Sequence, residues 1–187
     1  MSQPTLSTAR LALRPFVQED APAVQRLVGQ RAVADTMLTV PHPYEDGVAE
    51  EWIASHGPAY EKGERIVFAL ASPSLGLIGA MGLILDLPHQ RAELGYWIGQ
   101  PYWNQGYATE ALEAVLKFGF ETLKLNKLHA RHMTRNPASG RVMQKVGMWY
   151  EGRQVQHIYK WGQFEDLECY ALLREQYERH ADSAGAA

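Results

Sequence analysis

The chain has 187 residues, 46% hydrophobic and 21% charged, with a formal net charge of −3. These values suit one globular domain with its own core, and the charge leaves no electrostatic footprint for nucleic acid or an anionic membrane surface. The single cysteine, Cys169, excludes an internal disulfide framework, and no apolar run resembles a secretory signal or a membrane span, so a cytoplasmic protein is expected.

Leu11 and Leu13 alternate with polar or small neighbours in an opening strand at about 9–16. Glu19-Asp20-Ala21-Pro22 opens a helix, with acid and proline in its first turn. Residues 41–47 form a loop, and Val48 to Tyr60 read as a second helix. Apolar runs at 65–71 and 75–87 are strands joined by Ser72-Pro73-Ser74. A strand at 91–99, a helix at 108–123, a strand at 128–134 and a helix at 137–146 follow. Arms at 148–158 and 164–173 close a hairpin through Lys160-Trp161-Gly162-Gln163. The small-residue tail 181–187 is expected to be disordered, leaving one domain over 1–180. The order of elements predicts an α+β fold with one central mixed sheet of about seven strands and about four helices.

The most informative stretch is 97–112, WIGQPYWNQGYATEAL. It runs from a strand end through a glycine turn into an amphipathic helix whose apolar stripe is Ala108, Ala111, Leu112, Val115, Leu116 and Leu123. Helix N-terminal amides stabilise an anion without a basic side chain, and Gly106 and Ala108 would let the backbone approach it. A bland loop-to-helix junction is the competing reading.

Four segments then appear in order: TARLALRPF (8–16), AELGYWIG (92–99), WNQGYATEAL (103–112) and NPASGRVMQKVGM (136–148), with GQFEDLECYALL (162–173) closing the chain. This arrangement resembles the GNAT superfamily of acetyl-CoA-dependent N-acetyltransferases, and within it the ribosomal-protein-alanine (RimJ/RimL-type) branch. The resemblance implies a twisted sheet with splayed middle strands, acetyl-CoA as co-substrate, and no metal. It places Asn104, Gln105, Gly106, Tyr107, Ala108 and Thr109 around the pyrophosphate, and the backbone of Trp97, Ile98 and Gly99 along the pantetheine arm. It also implies that Asn136 bonds that arm and that Arg141 approaches a CoA phosphate. An N-cap and a solvated side chain are their alternatives. Trp103 stands where the commonest family pattern has Gln or Arg, which removes one cationic contact.

Catalysis needs a neutral amine and help for the departing thiolate. Glu93 is the candidate base, on the strand face shared with Gly95 and Trp97; a surface pair with Arg91 is its alternative. The family's usual tyrosine acid falls at Met143, which cannot donate a proton. Ser139 is the expected substitute, with a helix-capping role as its rival. Cys169 reads as an inert thiol, and His129 and His132 face opposite sides of a strand. Trp52, Tyr44, His42, Tyr159, Trp161 and Asp166 are expected around the acceptor groove. The acceptor is expected to be the α-amine of a protein or peptide N-terminus, with a small amine (amino acid, polyamine or antibiotic) or a non-catalytic acyl-CoA sensor as alternatives; a homodimer is left open.

Overall fold

Residues 65–98 carry three apolar runs separated by short turns, and in the computed structural model, which describes residues 3–185, they form the middle of one eight-stranded sheet. Its strands are β1 (Leu6–Ser7), β2 (Ala12–Pro15), β3 (Arg65–Ser72), β4 (Gly76–Asp86), β5 (Arg91–Ile98), β6 (Lys127–Met133), β7 (Trp149–Lys160) and β8 (Gln163–Leu173). Their spatial order is 1-2-3-4-5-6-8-7. All neighbours are antiparallel except β5 and β6. The α+β expectation holds, with β1 as the additional strand.

The helices are α1 (Ala21–Val28), α2 (Arg31–Ala34), α3 (Val48–Ala54), α4 (His56–Glu61), α5 (Tyr107–Lys117), α6 (Pro137–Lys145) and α7 (Arg174–Gly185). They are more numerous than expected, partly because the helix read over 48–60 breaks at Ser55. Pro58 has no N–H to donate to Ala54, and the Ser55 hydroxyl donates to the Trp52 carbonyl at 2.6 Å, a contact that bends helices. The helix read over 108–123 stops at Lys117 and passes into a wider π turn, Phe118–Thr122. At the other end, α7 carries helical backbone through Gly185, into the stretch expected as a disordered tail; residues 186–187 lie outside the described residues. No helix among the described residues is long and apolar enough to cross a membrane.

Strand alternation divides the core between the two faces of the sheet. On one face Phe68, Leu70, Met81, Ala92, Leu94 and Leu128 meet the α5 stripe of Ala111, Leu112 and Val115. On the other, Ala69, Ala80 and Trp97 meet Val24 and Leu27 of α1 and Ala49 and Ile53 of α3. Between them β5 and β6 pair only from Arg91↔Lys127 to Leu94↔Ala130, although β5 continues to Ile98 and β6 to Met133. The middle of the sheet therefore opens, and the chemistry-bearing residues gather there.

Candidate active site

The opening is the floor of a cavity of about 720 Å³. On one side it is lined by Trp103, Gly106, Ala108, Asn136, Arg141 and Lys145, and on the other by Thr36, Met37, Leu38, Thr39 and Ile84. Glu93, Tyr96, Trp97, Arg131, His132 and Ser139 lie between.

The loop before α5 has the geometry of an anion cradle. Gly106 is the N-cap, left-handed at φ +83, and no side chain caps the helix, so the first-turn amides are available to a ligand. A brace holds this loop from behind. The Arg10 guanidinium lies 4.3 Å from the Tyr107 ring centroid, donates to the Gln105 carbonyl at 3.0 Å and pairs with Glu110 at 2.6 Å. Thr8 Oγ1 also donates to Glu110 at 2.6 Å, and these contacts hold the Glu110 carboxyl below its usual range despite burial. Gln105 itself donates to the Pro101 carbonyl and, unlike Asn104, Gly106, Tyr107, Ala108 and Thr109, does not line the cavity. Trp103 does line it, with its indole N–H on the Ile98 carbonyl at 2.6 Å.

Backbone parity along β5 corrects part of the expected pantetheine contact. The Gly99 N–H donates to Ile78 at 2.9 Å, so residues 99, 97 and 95 turn their main chain toward β4. The parted side is faced instead by Tyr96 and Ile98, in register with the Gln90 carbonyl that accepts from Asn126. Of Trp97, Ile98 and Gly99, only Ile98 presents its backbone to the gap. Trp97 still lines the cavity, whereas Gly99 does not.

At the start of α6, Asn136 occupies the N-cap position without a side-chain cap hydrogen bond, and it lines the cavity. Arg141 and Lys145 stand one turn apart on the same helix face, both exposed and both lining the cavity. Their i,i+4 spacing was readable in the sequence, yet the resemblance pointed to Arg141 alone. This cationic pair, the uncapped α5 turn and the strand gap fit a long phosphorylated thioester such as acetyl-CoA.

Glu93 is bound to Arg131, while Arg91 pairs with Asp86 at 2.8 Å. Arg131 Nε and Nη2 donate to Glu93 Oε1 at 3.0 and 2.8 Å, and Nη2 also reaches Oε2 at 3.0 Å. Arg131 Nη1 then donates to His157 Nε2 at 3.1 Å, on a β7 stretch where the ladder shifts register between Gln154 and Ile158. Beside it burial holds the His129 imidazole below its usual value, though the Glu93 charge opposes this.

Ser139 does not cap its helix. Its Oγ lies 2.8 Å from Tyr96 Oη, which also reaches the Ser139 carbonyl at 3.1 Å. Burial pushes the Tyr96 phenol up to about 12, against the opposing Ser139 hydrogen bond. Next to this pair His132 is 6% exposed. Its Nδ1 meets the Met133 carbonyl at 2.8 Å, and its buried Nε2 has no partner and abuts Gly140. Met143 is core, 1% exposed.

Several expected groove residues belong elsewhere. Tyr44 and Trp52 pack on the α1–α3 core, His42 and Trp161 touch each other 5.8 Å apart, and the Asp166 carboxylate accepts the Gln156 N–H at 2.7 Å, stabilising β7. None of the six, Tyr159 included, lines the cavity. The cavity wall there is instead the segment 36–39, which follows Asp35, clasped by Arg135 at 2.7 Å; Arg135 also pairs with Glu165 at 2.8 Å. Burial raises the Cys169 thiol, in keeping with an inert side chain. Among the described residues, no group of three or more His, Cys, Asp or Glu is placed to hold a metal ion.

The sequence matches the acetyltransferase (GNAT) domain family over residues 10–149. It is 30% identical over 174 residues to the uncharacterized N-acetyltransferase YoaA of Bacillus subtilis, covering 91% of this chain and 97% of that protein. It is 24% identical over 170 residues to a spermidine N(1)-acetyltransferase of Vibrio cholerae, covering 90% and 96%. In three dimensions it is similar to RimL, a ribosomal L7/L12 alpha-N-protein acetyltransferase solved with coenzyme A, with TM-score 0.84, 18% identity and coverage of 92% and 99%.

Proposed function

Since the chain belongs to the GNAT acetyltransferase family, we propose that it transfers acetyl from acetyl-CoA directly to the α-amine of a protein or peptide N-terminus. Acetyl-CoA supplies an activated acyl group on a thiol leaving group; the protein's residues hold it and manage charge and protons. In this reading the first-turn amides of α5 and the Arg141–Lys145 pair hold the phosphates, and the backbone of Ile98 holds the arm. The Ile98 N–H also faces the gap, where it would stabilise negative charge on the acetyl oxygen.

The observation that carries the choice of acceptor is the Glu93–Arg131 pair. Among the described residues Glu93 is the only carboxylate lining the cavity, and Arg131 neutralises it, so a polycation meets no net negative charge there. The Glu93 carboxylate already accepts three guanidinium contacts, which occupy the oxygens a direct proton transfer from the acceptor would need. At pH 7 the neutral form costs about 4.6 kcal/mol for a lysine side chain but only about 1 kcal/mol for an α-amine. Glu93 acting through water is enough for the second.

The test is thiol release from acetyl-CoA, with mass spectrometry of the product, across peptides with different N-termini, small amines and polyamines. Peptide α-amines should turn over fastest. The spermidine-acetylating relative from Vibrio cholerae makes polyamines the competing class, and preferential turnover of spermidine or of lysine side chains would overturn the α-amine assignment. Binding of acetyl-CoA with no transfer to any amine would mark a sensor instead.

A further inference from the structure

Besides the Glu93–Arg131 pair, the cavity holds a short contact between Ser139, the residue expected to assist the thiolate, and Tyr96, which has so far been given no role. We propose that Tyr96 is a positioning residue that aims the Ser139 hydroxyl at the departing thiolate; the assignment rests on the acetyl transfer proposed above and adds a group to it.

Geometry carries the argument. Tyr96 lies on the β5 face opposite Glu93, beneath the first turn of α6, and both its partners belong to Ser139: Oγ at 2.8 Å and the carbonyl oxygen at 3.1 Å. A carbonyl only accepts, whereas a serine hydroxyl both donates and accepts. The phenol proton can therefore point to the carbonyl while Ser139 donates to Tyr96 Oη, or turn to Oγ and free the serine proton for the cleft. Turning both hydroxyls about their C–O bonds interconverts the two states while Tyr96 Oη and Ser139 Oγ stay within hydrogen-bond distance. Without the phenol, the serine hydroxyl is free to turn back onto the carbonyl of Asn136, three residues earlier at the helix start, as helical serines commonly do.

The step balances without a net proton from either residue. The amine nitrogen forms the C–N bond, the C–S bond breaks, and sulfur leaves with the bonding electrons. The surplus amine proton reaches the thiolate through water. Ser139 donates a hydrogen bond to the sulfur while this happens. A thiol ionises near 8.5 and burial holds the Tyr96 phenol at about 12, so Tyr96 stays protonated and serves as a fixed donor rather than an acid.

The experiment is a double-mutant cycle of Tyr96→Phe and Ser139→Ala, read as kcat and acetyl-CoA KM with the best peptide acceptor, alongside melting curves and CoA binding. Tyr96→Phe should lower kcat about tenfold, the worth of one hydrogen bond, with KM changed less than about twofold. In the Ser139→Ala background it should cost nothing further. Equal losses in both backgrounds, or a raised KM with kcat intact, would show packing and overturn the assignment. Full kcat in Ser139→Ala alone would do so even if Tyr96→Phe failed to fold. A wild-type protein that transfers acetyl to no amine would instead remove the acetyltransferase reading and this assignment with it.

Discussion

Replacing Arg131 with glutamine strips the positive charge from the part of the cavity beside Glu93, where the acceptor is proposed to enter, while keeping a polar side chain there. In the wild type the two groups are 2.8 Å apart and both about one quarter exposed, so a cationic acceptor meets a carboxylate already neutralised. In the variant, an ammonium about 4 Å from that carboxylate gains about 1 kcal/mol if the mouth behaves as water and about 4 kcal/mol at an effective dielectric constant of 20. Exposure places the site toward the first limit. The ratio of kcat/KM for spermidine to that for a peptide should therefore rise about tenfold, or about 1.4 kcal/mol. In 1 M salt, where screening acts over about 3 Å, most of that gain should vanish. The lost pair should also cost about 1 kcal/mol of stability, visible in a denaturant titration. A spermidine-to-peptide ratio unchanged at low salt would refute the claim that Arg131 sets the charge of the mouth.

Four other outcomes are expected. Gly106→Val should abolish CoA binding in calorimetry, since a branched side chain at φ +83 is strained and the cradle would re-form without its amides. Arg10→Ala should weaken acetyl-CoA binding several-fold with kcat nearly unchanged, because the brace on Gln105 and Glu110 acts on loop order rather than on the reacting atoms. Gly140→Ala should destabilise the fold by about 1–3 kcal/mol in thermal melts, as a Cβ there would sit 2.6 Å from His132 Nε2. For pH, burial among Phe16 and Trp52 pushes the His56 imidazole down to about 4, and both ring nitrogens lack partners. The unfolded chain binds this proton first, so stability is full above about 6.5 and falls as pH drops toward about 4; His56→Phe should flatten that acid limb of the melting profile.

What the sequence disclosed followed the reach of its local signals. The α5 cradle was readable because its determinants lie within a dozen residues: a glycine at the turn, a small residue after it, an amphipathic stripe behind it. The helix break at Ser55 was equally local, signalled by Pro58 and overlooked. Glu93's true partner was out of reach, since Arg131 is 38 residues away and only the parallel register Glu93↔His129 brings it diagonally alongside. The Tyr96–Ser139 pair spans 43 residues and needed α6 to be docked over the strand gap. The cavity wall at 36–39 has no periodicity to betray it. Its placement depends on Arg135, one hundred residues from Asp35. The α7 helix was hidden by a polar, small-residue composition that alone favours disorder.

The separation of β5 from β6 beyond Leu94 and Ala130 has an evolutionary corollary. A guest that completed the ladder at Tyr96 and Ile98, as proposed for the cofactor arm, would be recognised by peptide groups, which every amino acid carries, so mutation would leave that half of the pocket almost untouched. The opposite wall speaks through side chains and is free to drift. The fold itself persists at 18% identity, with TM-score 0.84.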